Sequence, residues 1–167
     1  MFDCQVAFAQ QPARLGQYKI DSNRVSISGV SSGAFMANQS HVAHSELIMG
    51  AGLVAGGLYG CAVPGVDKGG VDAQINLATG ACTTLPSALR SPQDYRRQTE
   101  QLASFESIDP LAGLEGDRVY LFTGEEDTVV NSVTVERAMA LYGLLGVNAE
   151  DLLFCKWNPC QSRMGCY

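Results

Sequence analysis

Arg24-Val-Ser-Ile-Ser-Gly-Val-Ser-Ser-Gly-Ala34 governs how the rest of the chain is read. Arg24 to Ser28 is a short β-prone run, and it leads directly into Gly29-Val30-Ser31-Ser32-Gly33. The residues beyond, Ala34 to Glu46, have helical composition, with Phe35, Met36, Val42 and Ala43 partly on one face. Strand, glycine-flanked turn and helix in that order fit G-x-S-x-G, where a sharp turn lifts a serine hydroxyl above a sheet. Flanking glycines let the chain make that turn without clashes. Only Ser31 stands two residues from each glycine, so Ser31 rather than Ser32 is the candidate nucleophile. The backbone N–H of Ser32, opening the helix, is then placed to face a developing oxyanion. The plain alternative is a Gly/Ser-rich turn without chemistry.

Working outward, Ile48 to Ala55 is apolar without alternation, as expected of a strand buried on both faces. Gly56 to Leu89 reads as a long loop rich in Gly, Pro and Thr. Ser91-Pro92 starts a helix over 91–105, with proline in the first turn. The clearest strand is 117–123, followed by a helix over 132–145 that Gly146 stops. A last strand is expected over 151–155. Strands over 24–28, 48–55, 117–123 and 151–155, alternating with helices over 32–46, 91–105 and 132–145, predict an α/β fold. Its sheet is mostly parallel, flanked by helices and joined by right-handed crossovers.

Asp127, in Gly124-Glu-Glu-Asp-Thr-Val129, lies just past the end of the 117–123 strand. An acid there suits the orientation of a catalytic imidazole, and serine before acid is the chain order of α/β-hydrolases, in which histidine comes last. Glu125 and Glu126 compete for the role. The two histidines, His41 and His44, both precede Asp127 and both fall on the helix after Ser31. His41 is about 15 Å along that helix from Ser31, far beyond hydrogen-bond reach. The i, i+3 pair is better read as solvated or hydrogen-bonded helix histidines than as metal ligands.

The 167 residues fit one domain or part of one. Apolar residues at 46% and charged residues at 17% exclude a disordered chain. The longest apolar run, Leu47 to Leu58, is short and broken by glycines, so no membrane span is expected. A net charge of −6, with no basic cluster beyond Arg96-Arg97, argues against nucleic-acid or anionic-membrane partners. Six cysteines fit an oxidising compartment, secreted or periplasmic. Cys61 and Cys82 are the best disulfide candidates, since they flank a Gly-rich loop between elements. Ala7-Phe8-Ala9 has the small-x-small form of a signal-peptidase site, but no basic segment precedes it. Residues 1–14 therefore read as a residual signal-peptide-like or flexible segment.

Together these segments resemble a known family. Asp21 to Gln39, His41-Val-Ala-His-Ser45, Gly50 to Cys61 and Arg118 to Val129 are similar to secreted poly(3-hydroxybutyrate) depolymerases. The branch is the one whose fold is a circularly permuted α/β-hydrolase, and the likeness runs from about Leu15 to about Leu153. It implies a partial α/β-hydrolase catalytic domain over 15–154 and a serine esterase acting on a hydrophobic polyester. Ser31 would attack the ester carbonyl to give an acyl-enzyme, the family's acid falls on Asp127, and the resemblance implies no metal or organic cofactor. A histidine follows the acid in the family, whereas none follows Asp127 here. Phe154 to Tyr167 lacks both that pattern and the alternation of a continuing strand, so 155–167 reads as a non-matching tail. The expectation is a C-terminally truncated chain, through a frameshift or early stop, with impaired hydrolysis. A short-chain carboxylesterase acting on small esters and a non-catalytic polymer-binding fragment are the alternatives. Oligomeric state is not legible from sequence.

Overall fold

The computed structural model describes Arg14, residues 16–63, residues 69–158 and residues 163–167. The signal-like reading of residues 1–14 thus falls, Arg14 apart, outside the described residues, as do Cys4 and Cys160. The order is β1 (Val25–Val30), α1 (Ser32–Ala43), β2 (Ile48–Val54), α2 (Val71–Thr79), α3 (Pro92–Ser104), β3 (Arg118–Gly124), α4 (Ser132–Leu145), β4 (Leu152–Asn158) and β5 (Arg163–Cys166). A π-turn at Gly80–Thr84 and 3-10 turns at Pro86–Ala88, Leu111–Leu114 and Ala149–Asp151 fill the connections.

The strands form a sheet in the order β1-β2-β3-β4-β5. The first four run parallel, and β5 turns back antiparallel to β4. Ala51 and Leu53 of β2, Val119 and Leu121 of β3, and Leu152 and Phe154 of β4 carry the buried core. Each fully buried Leu or Val contributes about 1.5–3 kcal/mol. Val135, Ala138, Leu141, Tyr142 and Leu145 give α4 a continuous inward stripe against this layer. Asn131 caps α4 by accepting from the Val133 N–H, and Gly146 ends it at φ 111°, a conformation that glycine takes without a Cβ clash. At α3, Ser91 and Asp94 form a reciprocal capping box, with Pro92 opening the helix.

Two expectations are corrected. The segment 56–89 is not one long loop: it holds α2 and the π-turn, which run into each other. Because α2 has no fully buried residue, it has no periodic stripe for the sequence to show. The tail is also not irregular. β4 continues to Asn158, paired with β3 through Gly124↔Trp157, and residues 163–166 return as β5. Cys155 and Cys166 are cross-strand partners joined by a disulfide. Pairing with a preformed neighbour and that bridge, rather than alternation, make this hairpin.

Candidate active site

Ser31 occupies the turn between β1 and α1 with φ 53° and ψ −123°, a conformation disfavoured for any residue with a Cβ. Three backbone bonds hold it there. Its N–H donates to the Val54 carbonyl at 2.9 Å, and its carbonyl accepts from Ala34 and Phe35 at 2.9 and 3.0 Å. The turn is tight because the chain folds back on Gly29: a Cβ there would stand 2.3 Å from the Gly33 carbonyl. Gly33 itself faces open space. Of the two flanking glycines, only Gly29 is therefore required by sterics. Ser32 is the first residue of α1, so its N–H has no carbonyl one turn back to bond within the helix. The Ser31 side chain is exposed at the carboxyl end of the sheet.

Asp127 follows the carboxyl end of β3, on the same edge as Ser31. Val30, Val54 and Phe122 are in register across β1, β2 and β3, so the two strand ends lie two strand spacings, about 10 Å, apart. Asp127 is half-buried, and its Oδ1 accepts from the N–H groups of Val129 and Val130 at 2.8 and 2.9 Å. This ties the acid to its own loop. Glu125 turns the other way, toward the Asn158 side chain, and Glu126 is exposed.

A largely apolar cavity of about 370 Å³ opens beside Ser31. Ser31, Ser32, Phe35 and Gln39 form one wall. Gly60 to Val63 form another, with Ala78, Cys82 and Thr83 behind them. Val129 and Val130, held by Asp127, close the rim. Cys61 and Cys82 are joined by a disulfide with Cα atoms 5.8 Å apart, so the bridge is itself part of the wall. The sequence reading of 56–89 as loop hid this contribution of α2 and the π-turn. The sequence reading does not pair Cys155 with Cys166; the separation of 11 residues between them is the one signal it holds.

The histidines lie elsewhere. His44 caps the C-terminal end of α1 and is exposed. His41 is fully buried, its Nε2 3.1 Å from Asp117 Oδ2 and its Nδ1 3.0 Å from the Tyr142 hydroxyl. Asp117 immediately precedes β3, so this cluster sits at the amino edge of the sheet, opposite Ser31. Burial lowers the His41 pKa, against the opposing pull of the Asp117 hydrogen bond and charge. Burial also raises the Asp117 carboxyl, opposed by His41, and pushes the Tyr142 hydroxyl up. Among the described residues no group of three or more His, Cys, Asp or Glu is arranged to hold a metal ion.

Comparison with characterised proteins decides the lineage. The chain is 36% identical over 154 residues to a poly(3-hydroxybutyrate) depolymerase of Delftia acidovorans, covering 92% of this chain and 29% of that protein. It is 31% identical over 140 residues to a polyhydroxybutyrate depolymerase of Talaromyces funiculosus, covering 83% of this chain and 36% of that protein. The chain belongs to the poly(3-hydroxybutyrate) depolymerase family. It spans about a third of the length of these depolymerases. No protein-family model matches it. The crystal structure of the depolymerase from Penicillium funiculosum superposes with a TM-score of 0.69 at 26% identity, covering 83% of this chain and 39% of that one. A second depolymerase structure, complexed with an R3HB trimer, gives a TM-score of 0.71 at 24% identity over 87% of this chain and 41% of that one. The mostly parallel, helix-flanked sheet is thus of the α/β-hydrolase type seen in these depolymerases.

Proposed function

We propose that this chain carries the nucleophile-bearing portion of a polyester depolymerase, a serine esterase that cleaves poly(3-hydroxybutyrate) through an acyl-enzyme. The observation that carries the reading is the strained Ser31 turn opening onto an apolar cavity, in a chain whose relatives are named for depolymerising this polymer. In this reading Ser31 Oγ attacks the ester carbonyl. The Ser32 N–H, free at the start of α1, donates to the oxyanion, and Asp127 orients and charge-balances an imidazole. The apolar walls receive the alkyl backbone of the polyester. Two buried or cross-strand disulfides accord with a secreted or periplasmic setting.

Neither His41 nor His44 reaches Ser31, which favours a second reading for the 167 residues alone: a polyester-binding fold without turnover. Losing the base of a serine triad costs on the order of 10⁶ in turnover. Hydrolysis of p-nitrophenyl butyrate with and without added imidazole separates the two. With the rate of imidazole on the ester alone subtracted, we expect negligible turnover by the chain alone, and an imidazole-dependent rate that Ser31→Ala removes. An imidazole-dependent rate identical in wild type and Ser31→Ala would overturn the assignment of Ser31. Binding of the (R)-3-hydroxybutyrate trimer without any Ser31-dependent rate would support the binding-only reading.

A further inference from the structure

We propose that Gln39 is a positioning residue that fixes the wall of the Ser31 cavity and thereby sets which acyl chains it accepts; the inference rests on the ester-hydrolase reading above. Gln39 lies about two turns along α1 from Ser31 and lines the cavity. Its amide is committed to the opposite wall. The Gly60 N–H donates to Gln39 Oε1 at 3.0 Å, and Gln39 Nε2 donates to the Leu58 carbonyl at 3.4 Å. Its neighbour Asn38, fully buried, donates Nδ2 to the Gly57 carbonyl at 2.9 Å. Two consecutive side-chain amides on the serine's own helix thus hold the segment that follows β2.

The held segment does not end there. It runs into Cys61, which is bridged to Cys82. The next residue, Thr83, accepts from the Asn131 N–H at 3.0 Å through its carbonyl. Asn131 follows Val129 and Val130, whose N–H groups Asp127 grips. One circuit of hydrogen bonds and a covalent bridge therefore runs along the cavity wall from the Ser31 helix to the Asp127 loop. Gln39 is where that circuit is anchored to α1 on the cavity side. Its stem faces apolar space while its polar atoms are satisfied by the wall. Releasing them would both loosen residues 58–63 and leave the Gly60 N–H and Leu58 carbonyl facing a ligand made mostly of carbon.

The test uses the full 167-residue chain. Gln39→Met keeps the side-chain length without either hydrogen bond, and Gln39→Glu keeps only the acceptor for Gly60. Amide hydrogen exchange without ligand and calorimetric binding of (R)-3-hydroxybutyrate dimer and trimer are the readouts. With fold and the Cys61–Cys82 bridge checked by circular dichroism and mass, Gln39→Met is expected to exchange the Gly60 amide about five- to tenfold faster, as loss of one hydrogen bond implies. It is also expected to lower the trimer-to-dimer affinity ratio several-fold, while Gln39→Glu keeps Gly60 protected. An unchanged Gly60 amide, or faster exchange with an unchanged affinity ratio, overturns the proposal while leaving the functional reading intact. Should Gln39→Met fail to fold, an unchanged affinity ratio in Gln39→Glu, whose Leu58 contact is lost, overturns it equally. A wild-type chain that binds neither oligomer overturns the functional reading, and this inference with it.

Discussion

Tyr142→Phe isolates the buried His41 network. Asp117 is an acceptor when ionised, so His41 Nε2 must carry the proton it shares with Oδ2. The unprotonated Nδ1 then accepts from the Tyr142 hydroxyl at 3.0 Å. Both partners are buried, His41 completely and Tyr142 to 1% exposure. Phenylalanine preserves the ring and its packing but leaves Nδ1 without a donor where water does not reach. An orphaned buried acceptor costs about 1–3 kcal/mol. At about 2–4 °C per kcal/mol for a chain of this size, a mid-range loss of about 2 kcal/mol lowers Tm by about 4–8 °C. Thermal unfolding by circular dichroism at pH 7.5 reads this directly, and long-range ¹H–¹⁵N NMR reads the tautomer. A Tm unchanged within 1 °C, or an imidazole carrying its proton on Nδ1, refutes the reasoning.

The same network gives the chain a pH signature. Burial lowers the His41 pKa from 6.5, so below about 6.5 the unfolded chain takes up a proton that the folded chain resists. The stability tied to neutral His41 is therefore complete above 6.5 and is lost as pH falls toward the lowered folded value. Asp117 acts in the opposite sense. Its carboxyl is raised above 3.8, so the folded chain binds that proton first and recovers part of the loss at more acidic pH. Asp151 adds to the raising of Asp117 and faces the pair from the turn before β4. Unfolding midpoints in urea should accordingly fall as pH drops from 7 into the range below 6.5, with the fall offset once Asp117 binds its proton. A midpoint that rises over that interval contradicts the sign.

Three further outcomes follow from particular contacts. Replacing Cys61 and Cys82 together by alanine reopens a loop of sequence separation 21, and should cost about 3 kcal/mol in urea unfolding while Cys155–Cys166 stays intact; a loss below about 1 kcal/mol would show the unfolded loop already restrained. Gly29→Ala drives a methyl to 2.3 Å from backbone that cannot swing away, so it should cost about 3 kcal/mol or more, whereas Gly33→Ala should be close to neutral; equal melting temperatures for the two would refute the steric account of the turn. Ser31→Gly relieves a positive φ that Ser31→Ala retains, and should melt higher than Ser31→Ala by the equivalent of about 1 kcal/mol, with nucleophile chemistry absent from both.

Much of the layout was legible because local signals and tertiary needs agreed. Ser91-Pro92 and Gly146 mark their helix ends by chemistry that acts within one turn, so α3 and α4 fall where the sequence puts them. The alternation of elements around Ser31 and Asp127 was enough to place both at one sheet edge. What escaped depended on partners distant in sequence. α2 has no buried stripe, and its role is to back a cavity whose front wall is on α1. β4 past Cys155 is a strand because it pairs with β3, and β5 because it pairs with β4 and is tied to it by a cross-strand bridge. Helix rise alone puts His41 beyond the serine's reach, but the burial of its pairing with Asp117, 76 residues away, has no local signature.

The chain order of the strands has a bearing on how the protein is made. Each of β2, β3, β4 and β5 pairs with the strand synthesised just before it. Each strand after β1 therefore finds one partner already made, and β2, β3 and β4 take their second partner from the strand made next. The helices between them supply the crossover lengths that parallel neighbours need. At translation rates of about 5–20 residues per second, β1, β2 and β3 each have about a second or more before the next strand appears, whereas β5 follows β4 within about a second. β5 then runs back against β4, and the Cys155–Cys166 disulfide closes across these two adjacent strands, over a separation of 11 residues. Synthesis of these five strands can therefore proceed as a ratchet, each strand docking on the one before it, with the β4–β5 pair fastened by oxidation.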